Sequence, residues 1–300
     1  MSDRPRIIIP EGFPPVWAGG WGEDPHGIYA ELVLRNASFL LRWIPPGEFL
    51  MGSPESELGR DDNETQHRVT ITRGLWLAAT PCTQKQWKEV MGDNPSHFQG
   101  PDRPVENVNW RETILFCLRL NESIRDAGYS TEGFEFRLPT EAEWENACRA
   151  GTTSAFNDGS PCTLPNGKDP ALDPLGWHGE GDNAQTHPVG AKAPNGWGLH
   201  DLHGNVWEWC ADHAEWKDIL VTDTYVDGIV DPLCGNGAWR VARGGSCWGG
   251  SGNCRSAFRG ASAPGLRFWA RGFRLAAGQE LGRGAPSLPA SGVSPQGKAK

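Results

Sequence analysis

Several features that would place a protein quickly are missing here. No apolar run approaches the roughly 18 residues that a membrane span requires, and the opening "MSDRPRIIIPEGFPP" has no long apolar core of a secretory leader. A soluble, cytoplasmic protein is expected, without a membrane partner. No basic stretch is long enough to follow a phosphate backbone in a chain of formal charge −9, so nucleic acid is not an expected ligand. The eight cysteines form no CxxC pair, which argues against a structural zinc ribbon. Apolar residues are only 38% of the 300, and no internal repeat is visible.

What the chain has instead is tryptophan. Fifteen indoles run from Trp17 to Trp269, beside 39 Gly and 24 Pro. That mixture predicts a loop-rich fold built around a few large aromatics rather than long regular elements. Residues 1–26 read as an irregular arm, 27–276 as one folded domain, and the low-complexity 277–300 as a disordered tail. Strands are expected in "GIYAELVL", "SFLLRWI" and "HRVTITRGLWLAAT". Three capping boxes announce helices: Thr83 with Gln86, Asn109 with Glu112, and Thr140 with Glu143. In the second helix Ile114, Leu115, Leu118 and Ile124 are expected near one buried face. The segment 152–200 shows little periodicity, and a loop of that length calls for a metal, a partner or a function to hold it.

The pieces "FLMGSP", "TPCTQKQW", "NPSHF", "RPVENVNW", "RLPTEAEWENACRAG", "PNGWGLHDLHGNVWEWCAD", "RGGS" and "GFRLA" occur in that order over about 45–276. Together they resemble the formylglycine-generating, or sulfatase-modifying-factor, family. The resemblance implies an α+β chain with a variant of the C-type lectin fold, loop-rich, with short helices and small sheets. It does not by itself decide function. The family includes copper-dependent oxidases that convert a peptide cysteine to formylglycine, domains fused to iron-dependent sulfoxide synthases, and non-catalytic members. Among the last are variable proteins of diversity-generating retroelements. The histidine-rich helical domain of the sulfoxide synthases is absent from this sequence.

In "DLHGNVWE", Asp201 and Glu208 with the carbonyls of Gly204 and Val206 match the calcium-binding spacing of the family's enzymes. Alternating side-chain and backbone oxygens suit a hard cation, here a structural calcium. The alternative is that both carboxylates hydrogen-bond neighbouring backbone. His200 and His203 frame the motif as an H-x-x-H pair, but a third zinc ligand of suitable spacing is missing. The oxidases of the family hold Cu(I) between two thiolates, three and eight residues after the Ser of "GGS". Here Cys254 stands eight after Ser246, but Gly249 stands at plus three and Cys247 at plus one. Cys254, with Cys247, is thus the candidate copper pair only under an oxidase reading.

The stretch 243–276 also reads as a recognition surface. Framed by "RGGS", "NCRSA" and "GFR", the positions Cys247, Trp248, Gly249, Gly250, Phe258, Gly260, Ala261, Ser262, Ala263, Leu266, Arg267, Phe268, Trp269, Ala270 and Arg271 mix large aromatics with small residues. Rigid aromatics supply contact area at low entropic cost. Arg255 and Arg274 are expected in buried pairs, and Arg267 and Arg271 as donors of charge-assisted bonds. The layout is similar to the variable region of retroelement-diversified proteins, which implies a non-catalytic scaffold binding a protein ligand. Adenine-directed substitution of Asn codons yields most residue types found here, though not Trp248 or Trp269. No sugar-reading Glu-Pro-Asn or Gln-Pro-Asp triplet is present.

Overall fold

The computed structural model describes residues 9–129 and 133–281. In chain order the elements are β1 (Gly20–Asp24), β2 (Gly27–Val33), β3 (Ser38–Ile44), β4 (Gly47–Met51), β5 (His67–Ile71), β6 (Leu75–Ala78), α1 (Gln84–Met91), α2 (Trp110–Asp126), β7 (Phe134–Arg137) and α3 (Glu141–Arg149). They continue with β8 (Trp207–Lys217), β9 (Ile219–Val221), β10 (Ile229–Val230), β11 (Trp239–Arg243), β12 (Gly260–Ser262), β13 (Arg271–Gly272) and β14 (Ala276–Gln279). This is an α+β, C-type-lectin-like architecture of short helices on small sheets.

All three capping boxes form, with the side chain of Thr83, Asn109 or Thr140 accepting from the third helical amide and the Gln or Glu there reaching back. Each such cap stabilises its helix by about 1 kcal/mol. The buried face of α2 differs from expectation. Thr113, Phe116, Cys117, Leu120 and Ile124 turn inward, while Leu118 is 43% exposed. The large Phe116 ring, stacked on Trp87 at 5.5 Å, sets the helix rotation.

β14 lies inside the six-stranded sheet, in the order β1-β2-β3-β6-β14-β7, antiparallel to β6 and β7. The last strand among the described residues is therefore an internal one, and it runs to Gln279, into the segment assigned to the tail; residues 282–300 lie outside the described residues. At the other end, Trp17 is buried and β1 pairs with β2, so only part of 1–26 is irregular, and residues 1–8 lie outside the described residues. In β2 the alternation works as it should: Ile28, Ala30 and Leu32 face the core. β12, β11, β8 and β13 form the second large sheet, with β9 paired to β8.

The main core joins Trp17, Phe39, Trp76, Trp87, Phe116, Phe136, Trp209 and Phe273. The long loop 152–200 is held by buried polar side chains. Asp169 accepts from the amides of Leu164 and Ala171, Asn195 from those of Trp197 and Leu199, and His203 Nε2 from Asn157 N at 3.1 Å. Among the described residues, no helix is long and apolar enough to cross a membrane.

Candidate functional site

Segment 243–276 leaves β11, crosses a glycine turn, returns through β12 and a loop at 263–270, and ends in β13 and β14. The turn demands glycine at Gly245. Its φ is +69°, and a Cβ there would lie 2.5 Å from Cys254 Sγ.

Four arginines pin this segment from beneath. Arg243, fully buried, pairs with Glu145 and donates to the carbonyls of Ser256, Ala257 and Phe258. Arg255 meets both oxygens of Glu64 at 2.7 and 2.8 Å and Glu57 at 2.6 Å. Arg259 holds Glu141 bidentately at 2.7 and 2.8 Å, and Arg274 does the same to Glu208. Burial opposes ionisation of Glu145 and Glu64, but their arginines overcome it and hold both carboxyls below the usual range. Fork-on-carboxylate pairs of this kind fix geometry as well as charge. Arg255 and Arg274 therefore take the buried pairing read from the sequence.

Above this frame the predicted surface residues separate into three groups. Trp248 and Leu266 are 51% and 46% exposed, and Ala263 and Arg267 are exposed as well. Gly249, Gly250, Phe258, Gly260, Ala261, Phe268 and Trp269 are half-buried. Cys247, Ser262 and Ala270 are buried and are not displayed, which corrects their assignment to an open surface, while Arg271 keeps only a 7% exposed edge. Gly250 is a packing requirement too, because a Cβ there would lie 2.6 Å from the Pro165 carbonyl. Arg267 is engaged with Glu112 of the α2 cap.

The displayed rings make one strip. Trp248 meets Phe268 edge-on at 6.5 Å, Phe268 tilts against Trp269 at 5.2 Å, and Trp269 meets Phe98 edge-on at 5.5 Å. Phe98 arrives from a distant loop through Asn107, whose amide donates to the Phe268 carbonyl at 3.0 Å. Beneath it lies Glu106, fully buried, with Oε1 accepting from Phe98 N at 2.8 Å and Oε2 unpartnered. Burial pushes this carboxyl up to about 7. On the other flank Glu180 and Gly179 donate backbone amides to the carbonyls of Cys247 and Gly249. Phe98, Glu106, Glu180 and Trp207, which packs on Phe258 at 5.9 Å, were not singled out from the sequence. As family pieces, "NPSHF" and "RPVENVNW" hinted at the first two and "DLHGNVWE" at Trp207. A surface cleft of about 340 Å³ lies elsewhere, beside Ile71, Asp231 and Gln279, and none of residues 243–276 line it.

The calcium reading does not fit the residues as arranged. Glu208 already accepts from Arg274 Nε at 2.8 Å, Arg274 Nη2 at 2.7 Å and Trp144 Nε1 at 2.7 Å. A divalent ion there would sit against the guanidinium. Asp201 takes Gly190 N at 2.7 Å, and burial raises its carboxyl above the ordinary range. Gly204 N donates to the Gly244 carbonyl at 2.7 Å, and Val206 is fully buried. His203 is also structural, with Nδ1 donating to Cys254 O at 2.7 Å and burial lowering the ring to about 4.

The two thiols of the copper reading lie inside the fold. Cys247 and Cys254 are both fully buried, Cys254 within an apolar cluster that includes Phe156, Leu172 and Leu175. Burial pushes the Cys247 thiol up to about 12 and raises that of Cys254 as well. Neither is poised as a thiolate. Among the described residues, no group of three or more His, Cys, Asp and Glu is gathered for a metal.

Comparison with known proteins bears on the family and the fold. The sulfatase-modifying factor enzyme 1-like domain matches residues 37–278. A formylglycine-generating enzyme of Thermomonospora curvata is 33% identical over 223 residues, covering 70% of this chain and 66% of that protein. A chaperone protein LppX of Paenibacillus barcinonensis is 32% identical over 212 residues, covering 59% of this chain and 70% of its own. Among solved structures, Treponema denticola variable protein 1 superposes with a TM-score of 0.69 at 30% identity, over 83% of this chain and 98% of that one. The resemblance to variable proteins read from the C-terminal segment is thus met by a structural neighbour. On the family match and these relatives, the chain belongs to the sulfatase-modifying-factor family, the family of the formylglycine-generating enzymes.

Proposed function

We propose that this protein is a non-catalytic binding scaffold that engages a protein ligand through its C-terminal segment. The observation that carries the reading is the aromatic strip of Trp248, Phe268, Trp269 and Phe98 held on four buried arginine–carboxylate pairs. A rigid, shallow, aromatic surface suits a protein partner. The frame below it tolerates change above, because its contacts use backbone carbonyls and residues outside the strip. Likeness to a variable protein supports diversification of the same segment.

The rival is an oxygen-dependent oxidase acting on a peptide cysteine with Cys254 and Cys247 on Cu(I), favoured by the formylglycine-generating relatives. Sequencing the DNA downstream of the gene tests the scaffold. A reverse transcriptase with a near-copy of codons 243–276 that differs only at adenines is expected. Absence of that copy, together with stoichiometric Cu(I) binding abolished by Cys254→Ser, would overturn the reading.

A further inference from the structure

Segment 243–276 carries six arginines, and five of them have carboxylate partners. Arg271 has none among the described residues. It is 7% exposed, its Nε and Nη1 are sealed from solvent without an acceptor, and its guanidinium lies over the Trp209 ring at 4.6 Å. Among the described residues Nη2 makes no hydrogen bond, and unlike the other two nitrogens it is not sealed from solvent. Burying a guanidinium without an anion is strongly unfavourable, and the ring offsets only part of that. Desolvation alone pulls this arginine down to about 10.

No carboxylate pairs with this guanidinium among the described residues, and the rings beside it are tryptophans. In β13, Arg271 is the registered neighbour of Trp207 on β8, with Trp209 two residues along the same face. Further along that face, Arg240 stacks on Trp110 at 4.6 Å with Nε unpartnered, and His213 Nε2 is also unpartnered. Phe268, the next ring of the strip, accepts Arg271 N at its carbonyl, 3.0 Å away. This backbone bond ties β13 directly to the loop that carries the strip, while the guanidinium lies over Trp209.

We propose that Arg271 is the anchor for a carboxylate of the ligand, flanked by Trp207 and Trp209. This rests on the reading of the segment as a binding surface and names the chemistry that surface selects. A single guanidinium matches the planar, singly charged carboxylate. A phosphate dianion would leave uncompensated charge in an apolar setting.

The test uses the full chain and two small probes. N-acetyl-phenylalanine presents a chain-end carboxylate, and the α-amide of N-acetyl-glutamate presents a side-chain one. Tryptophan fluorescence and the Arg271 Nε–H NMR signal should both titrate to saturation with at least one probe. The neutral amide of N-acetyl-phenylalanine should bind at least tenfold more weakly. Arg271→Met, which keeps the shape, should abolish the titration, and Arg271→Lys should retain it in weakened form. Whichever probe binds more tightly identifies the source of the carboxylate. Absence of saturation by both up to about 50 mM, or equal binding by a folded Arg271→Met, overturns the proposal. That failure is separable from failure of the scaffold reading, because the downstream template copy is sought independently of any probe.

Discussion

Replacing Arg274 by Met separates a structural ion pair from a calcium loop. Arg274 and Glu208 are both buried, joined at 2.7 and 2.8 Å, and Arg274 also donates to Ala78 O at 2.9 Å and His200 O at 2.7 Å. The pair bridges β8 to β6, and so the two large sheets. Arg274→Met strands the Glu208 carboxylate and orphans two carbonyls. Breaking a buried pair in this way costs about 3–5 kcal/mol. For a domain of this size each kcal/mol moves Tm by about 2–4 °C, so a fall on the order of 10 °C is expected by calorimetry. Glu208→Leu should cost a similar amount. The double variant Arg274→Met with Glu208→Leu should recover a large part of either loss, since apolar replacement of both partners is far cheaper than removal of one. Chelator should leave the wild-type Tm unchanged. A chelator-induced fall of several degrees, reversed by calcium, would refute the argument, as would simple additivity of the two single losses.

Arg271→Met should raise Tm in the absence of ligand, because it removes a buried charge with no partner; a fall of several degrees would show an acceptor that the structure lacks. Glu106 carries a pH effect whose sign follows from its raised pKa. The folded state holds the proton up to about 7 and the unfolded chain releases it near 4.5, so folding is penalised as pH rises through that interval, by roughly 1–3 kcal/mol above it. The Tm gain of Glu106→Gln over wild type should therefore be small at pH 5 and larger at pH 8; a gain independent of pH would contradict this. Cys247 and Cys254 should resist alkylation at pH 8 in the native protein and react after unfolding, read by mass spectrometry. Rapid native labelling of either would reopen the copper reading.

The division between what could and could not be read in advance has a physical basis. Helix starts were legible because a capping box is a local contract between residues three apart, and all three formed. The strand alternation of β2 was legible for the same reason. The rotation of α2 was not, since Phe116 wins the inward position only through Trp87 and Phe273. β1 was missed inside the Gly- and Pro-rich arm, because its pairing to β2 depends on register rather than composition. Glu208 looked like a metal ligand by spacing, and the long-range arrival of Arg274 made it an anion partner.

Sequence alone determined the family, the three helix starts, and the concentration of aromatics and arginines in 243–276. Tertiary structure alone decided which of those arginines are spent on Glu145, Glu64, Glu141, Glu208 and Glu112, and which one is not. The reason is distance along the chain. Glu64 lies 191 residues from Arg255 and Glu141 lies 118 from Arg259, and no local pattern reports a contact made at that separation.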